Sequence, residues 1–166
     1  ENYLTADFDK KDLPLVKVPG NIQLYEGVEH DSPLYSNLKY PFPTDPPRVP
    51  EDNPCSVFIK EFDVSAEMLE RDNIITFEGV ASCFYLLING EFVGYSQVNH
   101  CTSEFDISKY LVEGKNRITV VVVKWCDGSY LEDQDYFRLS GIFREVYILS
   151  RNKNRLKDAY IRQSFN

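Results

Sequence analysis

The sequence predicts an all-β fold, an antiparallel β-sandwich of the jelly-roll type. Three observations carry this expectation. Short stretches of alternating apolar and polar residues recur at near-regular spacing from Cys55 onward, seven or so in number. An Asn-Gly pair, Asn89-Gly90, sits between two of them. Almost no helical period and no βαβ rhythm interrupts the series. At 166 residues the chain is one domain, and 43% hydrophobic with 14% aromatic residues supplies a core and argues against disorder.

The elements follow in order. Residues 1–54 read as a proline-rich arm packed on the body. Pro19-Gly20 marks a turn, and six prolines fall between Pro41 and Pro54. Proline fixes φ and removes a ladder donor, so this part is neither a central strand nor a helix. A free linker would leave Tyr35, Tyr40 and Phe42 in water, which favours packing.

Residues 55–150 read as the sandwich body. The run at 56–62 alternates as a strand, and Ser65 can cap a short helix at 66–71. A strand follows at 73–77. Strands at 84–88 and 91–95 flank Asn89-Gly90, whose type I′ turn needs positive φ at both centres. Asp106 is placed to cap one helical turn at 107–111, closed by Gly114. Strands are expected at 116–125 and 142–149, the latter entered through Ser140-Gly141. Residues 151–166 read as a last strand, near 160–165, or as a link to a following domain.

Two strands are apolar on both faces. In 118–125, Ile118, Val120 and Val122 alternate with Val121, Val123 and Trp125, and 83–88 does likewise. A sandwich buries one face of each sheet. The second face therefore needs a cover: the arm, a partner, or another domain.

Composition excludes several function classes. The net charge is −8, and no basic stripe of the kind nucleic-acid binders or polybasic membrane anchors display is present. The longest apolar run, 118–123, is far too short to cross a bilayer. Cys55, Cys83, Cys101 and Cys126 are scattered without a C-x-x-C spacing, which argues against a zinc or dithiol redox motif. They read as free thiols and favour the cytoplasm, with a periplasmic or secreted location open if a leader has been removed. His30 and His100 are isolated.

The candidate functional segment is 125–146, WCDGSYLEDQDYFRLSGIFREV. It sets Asp127, Glu132, Asp133, Asp135 and Glu145 among the rings Trp125, Tyr130, Tyr136 and Phe137, with Arg138 and Arg144 alongside. Carboxylates accept hydrogen bonds from sugar hydroxyls, a flat ring covers a pyranose C–H face, and carboxylates also hold hard cations. A surface loop laced with ion pairs has the same composition. Trp125 fits core packing at a strand end as well as sugar stacking.

SYLEDQDYFRLSGIFREVYIL at 129–149 resembles the signature of β-galactosidases of glycoside hydrolase family 2. PLYSNLKYPFPTDPPRVPEDNP at 33–54, FEGVASCFYLLINGEFVGYSQ at 77–97 and SEFDISKYLVEGKNRITVVVVKWCDGSY at 103–130 follow the same family, in the same order. The resemblance is to one part of those enzymes, the N-terminal sugar-binding domain, a galactose-binding-domain-like jelly roll. It implies partners in the same parent chain: an immunoglobulin-like domain and a catalytic (β/α)8 barrel. That barrel carries the two glutamates of a retaining mechanism on terminal β-galactosides. No catalytic residue is then expected in these 166 residues, and the fragment alone is expected to be inactive.

By the same resemblance Asp135 reaches the active site as a substrate-binding and metal-binding residue, sharing a sodium ion with the catalytic domain. Magnesium is a further candidate in the parent enzyme, which is expected to be a homo-oligomer. Glu132, Asp133, Arg138 and Arg144 are supporting residues, the acids orienting the loop or pairing with the arginines. If 142–149 is one regular strand, Arg144 faces inward. The chain departs from the family at Ala81, where well-known members place a substrate-contacting asparagine. It departs again at Val98, where related chains often carry an acid, and in lacking an upstream LNGEW-like strand. A stand-alone lectin-like module and another family 2 activity, β-glucuronidase or β-mannosidase, are the alternatives.

Overall fold

The computed structural model describes residues 3–28, 31–37, 39–132 and 135–165. It is an antiparallel β-sandwich. In chain order the strands are β1 (Leu34–Ser36), β2 (Cys55–Val64), β3 (Asp72–Phe77), β4 (Val80–Ala81), β5 (Cys83–Ile88), β6 (Glu91–Gln97), β7 (Ser103–Asp106), β8 (Gly114–Val123), β9 (Tyr136–Arg138), β10 (Gly141–Ile142) and β11 (Val146–Arg151). The helix α1 (Ala66–Leu69) is one turn long, and Ser65 caps it by accepting the Met68 N–H at 3.2 Å.

One sheet has the order β2-β8-β5-β6 and the other β11-β3-β7. The doubly apolar strand β8 is central, which explains its run of valines: it pairs with β2 over ten residues and with β5 over six. Leu86 lies opposite Val120 and Phe84 opposite Val122. These side chains point at β3, whose Phe77 ring meets Phe84 at 4.7 Å between centroids. Ile75, Leu86, Ile88 and Ile107 are fully buried here, and each such side chain contributes about 2 kcal/mol of transfer free energy.

The hairpin at Asn89-Gly90 has φ of 52° and 83°, the two positive values a type I′ turn requires. Other expectations shift. Residues 108–110 form a 3-10 turn, with Asp106 accepting the Ser108 N–H at 2.9 Å, and Gly114 opens β8 instead of closing a helix. The strands β1, β4, β7 and β9 lie where no strand was expected; all are four residues or shorter, below the length at which alternation is legible. The single strand expected at 142–149 is two strands, β10 and β11, separated by a bend at Phe143–Glu145. Residues 152–165 form no strand, and Tyr160, Ile161 and Phe165 are exposed.

Two contacts tie the N-terminal residues to the body and shape the region discussed below. The Gly20 N–H donates to the Ile142 carbonyl and the Ile22 N–H to the Ser140 carbonyl, each at 2.8 Å. Gly141 permits this: its φ is 126°, and a Cβ there would sit 2.9 Å from the Gly20 carbonyl oxygen. Farther on, Tyr40 stacks on Tyr130 and Phe42 meets Trp125 edge-on at 5.2 Å. Trp125 is 9% exposed and is therefore a packing residue. On the outer face of the larger sheet, Tyr3 and Leu4 join Val57, Tyr85, Leu87, Phe92 and Val121 around an apolar depression of about 490 Å³.

Candidate functional site

The acidic segment leaves β8 at Val123 and enters the 3-10 turn Asp127–Leu131, from which the chain runs into β9. Strand β9 pairs with β1, a segment about 100 residues earlier, setting Tyr35 opposite Phe137 and Ser36 opposite Tyr136. This two-stranded ribbon positions the site. Asp135 immediately precedes β9 and is exposed. Its Oδ1 accepts the Tyr35 hydroxyl at 2.6 Å. The Tyr35 and Phe137 rings lie 5.5 Å apart and both are more than half exposed. An exposed carboxylate thus stands beside two exposed aromatic rings, a combination suited to a sugar or a cation.

Glu132 is half-buried, and its carboxylate accepts the Asn99 N–H at 3.1 Å. Burial raises its carboxyl above the ordinary glutamate range, while the Asn99 amide, His100 and Arg138 pull it down. Arg138 is 4% exposed. Its guanidinium donates to the main-chain oxygen of Glu132 and lies 4.8 Å from the centre of the Tyr136 ring. Arg138 therefore braces the backbone of the loop.

Arg144 corrects the expectation of an inward side chain. It is exposed because it occupies the bend between β10 and β11, so strand alternation does not apply. Its guanidinium donates to the main-chain oxygens of Glu78 and His100 at 3.4 and 3.3 Å. Asp133 lies outside the described residues. Ala81, in β4, pairs with Gly141 and is buried. Among the described residues no three His, Cys, Asp or Glu side chains gather as a metal cluster.

Sequence reasoning missed Tyr35 and Asn99 as members of this site. Tyr35 is joined to Asp135 only through the β1–β9 pairing, and a three-residue strand leaves no periodic signal.

Residues 2–152 match the model of glycosyl hydrolases family 2, sugar binding domain. The chain belongs to this family. Among curated relatives of this family 2 domain, the beta-galactosidase of Actinobacillus pleuropneumoniae is 49% identical over 161 residues, 97% of this chain and 15% of that protein. The beta-galactosidase of Erwinia tasmaniensis is 51% identical over 154 residues, 90% of this chain and 15% of that protein. The family 2 domain thus spans about 15% of the length of the curated relatives it matches. Of solved structures, Bacteroides uniformis beta-glucuronidase superposes with a TM-score of 0.67 at 14% identity, over 89% of this chain and 16% of that one, a likeness of fold.

Proposed function

We propose that this family 2 domain is the non-catalytic sugar-binding domain of a β-galactosidase that hydrolyses terminal β-galactosides with retention of configuration. Asp135 is its contribution to the subsite that holds galactose and a cation. The observation that carries the reading is 49% identity to a protein named beta-galactosidase across 97% of this chain. The geometry supports it: Asp135 offers hard oxygen donors in the open, beside the rings of Tyr35 and Phe137.

Sodium suits that donor set. One oxygen of Asp135 takes the neutral Tyr35 hydroxyl, and the remaining lone pairs are available to a cation. A single carboxylate is a fraction of a coordination shell, so the other ligands come from the catalytic barrel of the parent chain. Retaining hydrolysis requires two carboxyls about 5 Å apart, and that chemistry belongs to the barrel. Magnesium, in this reading, also acts in the parent enzyme.

The test uses the full protein that carries this chain. It should turn over a chromogenic β-galactoside in preference to the matching β-glucuronide and β-mannoside. Asp135→Asn should lower kcat/KM roughly 10–100-fold and remove the response to sodium. A preference for another glycoside, or an unchanged sodium response, overturns the reading. The 166 residues alone should give no turnover; tight galactose binding by them in calorimetry would instead support a lectin-like module.

A further inference from the structure

The outer face of the β11-β3-β7 sheet carries a cleft that the sugar reading leaves unused. It holds about 300 Å³, the lower end of the range for small-molecule sites, and is lined from all three strands and from the tail after β11. Ile75 and Phe77 of β3 lie in the core, so Ile74 faces outward by alternation. The register sets Leu149 and Asp106 on either side of Ile74, Glu104 beside Thr76, and Arg151 beside Asp72. Charge is divided across this face. Glu104 and Asp106, on β7, form one wall; Arg151, at the end of β11, with Arg155 and Lys157 of the tail, forms the other. Ile74 and Leu149 make an apolar floor between them.

Neighbouring strands lie about 4.8 Å apart, so β7 and β11 are separated by about 10 Å across β3. Among the described residues no ion pair bridges the walls, and none of Glu104, Asp106, Arg151 and Lys157 takes part in one. The walls are nonetheless fixed in place. The Asp106 carboxylate accepts the Ser108 N–H at 2.9 Å and the Glu104 carboxylate accepts the Thr76 hydroxyl at 3.4 Å, each through one oxygen. The second oxygen of each is left for a ligand. Opposite them, the Arg155 guanidinium is paired with Asp72 and donates to the Asn152 carbonyl at 3.0 Å, which ties the tail to the start of β3. Preset groups spare a ligand part of the ordering cost that weakens exposed ion pairs.

We propose that this cleft binds a small zwitterion, a dipeptide with one apolar side chain, its ammonium on Glu104 and Asp106 and its carboxylate on Arg151 and Lys157. A ligand of one sign gains from one wall and is repelled by the other, whereas a dipolar ligand gains from both. An extended dipeptide sets its two charges about 6 Å apart, which suits side chains reaching in from walls about 10 Å apart; the charges of a single amino acid, about 3 Å apart, meet only one wall. Arg151 offers a carboxylate its planar fork of donors, and the hydrogen bonds at both ends are charge-assisted. The apolar side chain covers Ile74 and Leu149. This site is separate from the Asp135 subsite and does not rest on the sugar reading.

The experiment titrates glycyl-leucine into the full protein that carries this chain and reads binding by saturation-transfer NMR. A Kd of about 1 mM is expected, the value a ligand of this size reaches at ordinary efficiency, with the strongest transfer to the leucine methyl groups. N-acetyl-glycyl-leucine lacks the ammonium and glycyl-leucine amide lacks the carboxylate; each should bind about ten-fold more weakly. Glu104→Gln should weaken glycyl-leucine and leave the N-acetyl form unchanged, and Arg151→Gln should weaken glycyl-leucine and leave the amide unchanged. These pairings assign each end of the ligand to its wall. Absence of saturable binding overturns the inference, and so does equal binding of the capped forms. The capping series needs no substitution, so it decides the matter even where a variant folds poorly.

Discussion

The Tyr35 hydroxyl donates to Oδ1 of Asp135 at 2.6 Å across 100 positions of sequence. The bond aims an otherwise exposed carboxylate. It also pushes the Tyr35 phenol up, because a phenolate would face a carboxylate, so the donor persists at all ordinary pH values. Tyr35→Phe keeps the ring contact with Phe137 and removes only the donor. In the full protein the variant should need about three-fold more sodium for half-maximal activity, with the unfolding midpoint unmoved. Tighter sodium binding would show instead that Tyr35 competes with the cation.

Lys124 is 3% exposed, and its ammonium is paired with Asp31 on the N-terminal segment. Gln23 donates to the same aspartate at 2.7 Å and to the Ser140 hydroxyl at 2.9 Å, so one polar network pins Gln23 and Asp31 to the body. Asp31→Asn leaves a buried ammonium without its counter-charge and should cost about 3 kcal/mol in denaturant unfolding. Adding Lys124→Met removes the stranded charge and should recover most of that loss.

Glu132 sets a slope in the pH dependence of stability. Its folded carboxyl lies above the ordinary glutamate value of 4.5 because it is partly desolvated. On raising pH the unfolded form releases its proton first. Between 4.5 and the raised folded value the unfolded state binds fewer protons, and stability falls as pH rises. Glu132→Gln retains the oxygen that accepts from Asn99 and carries no charge. The variant should gain on the wild type through that window, as thermal melts from pH 4 to pH 7 will read. Asp72 has the opposite sign: Arg155 holds its carboxyl down, so its contribution is present above the ordinary aspartate range and fades as pH falls through the folded value.

Val98 adopts a φ of 76°, a left-handed backbone that a β-branched side chain tolerates poorly, and its side chain is half exposed. Asn accepts that conformation far better. Val98→Asn should therefore stabilise by about 1 kcal/mol, raising the midpoint by about 3 °C. The acid that the family resemblance expects at this position is likewise a residue suited to positive φ.

The larger strands were legible because their signals are local. The alternation at 56–62, the valines of β8 and the Asn89-Gly90 pair each state their conformation within a few residues. What escaped was non-local or short. β1 acquires its strand character only by pairing with β9, so Tyr35 was invisible as a neighbour of Asp135. Arg144 was placed inward by extending one alternation through a bend that hydrogen bonds from Phe143 and Arg144 to the Gly79 carbonyl hold in place.

Because β8 lies between β2 and β5, its hydrogen bonds are completed only when segments some 60 and 30 residues upstream have both arrived. Closing such loops precedes any reward from the contacts they permit, which places maturation of this chain in the millisecond-to-second range typical of sandwiches. During that interval a bare valine ribbon faces solvent, and it can pair with the same ribbon in another nascent molecule as readily as with its own neighbours. Yield on refolding should accordingly fall steeply with protein concentration.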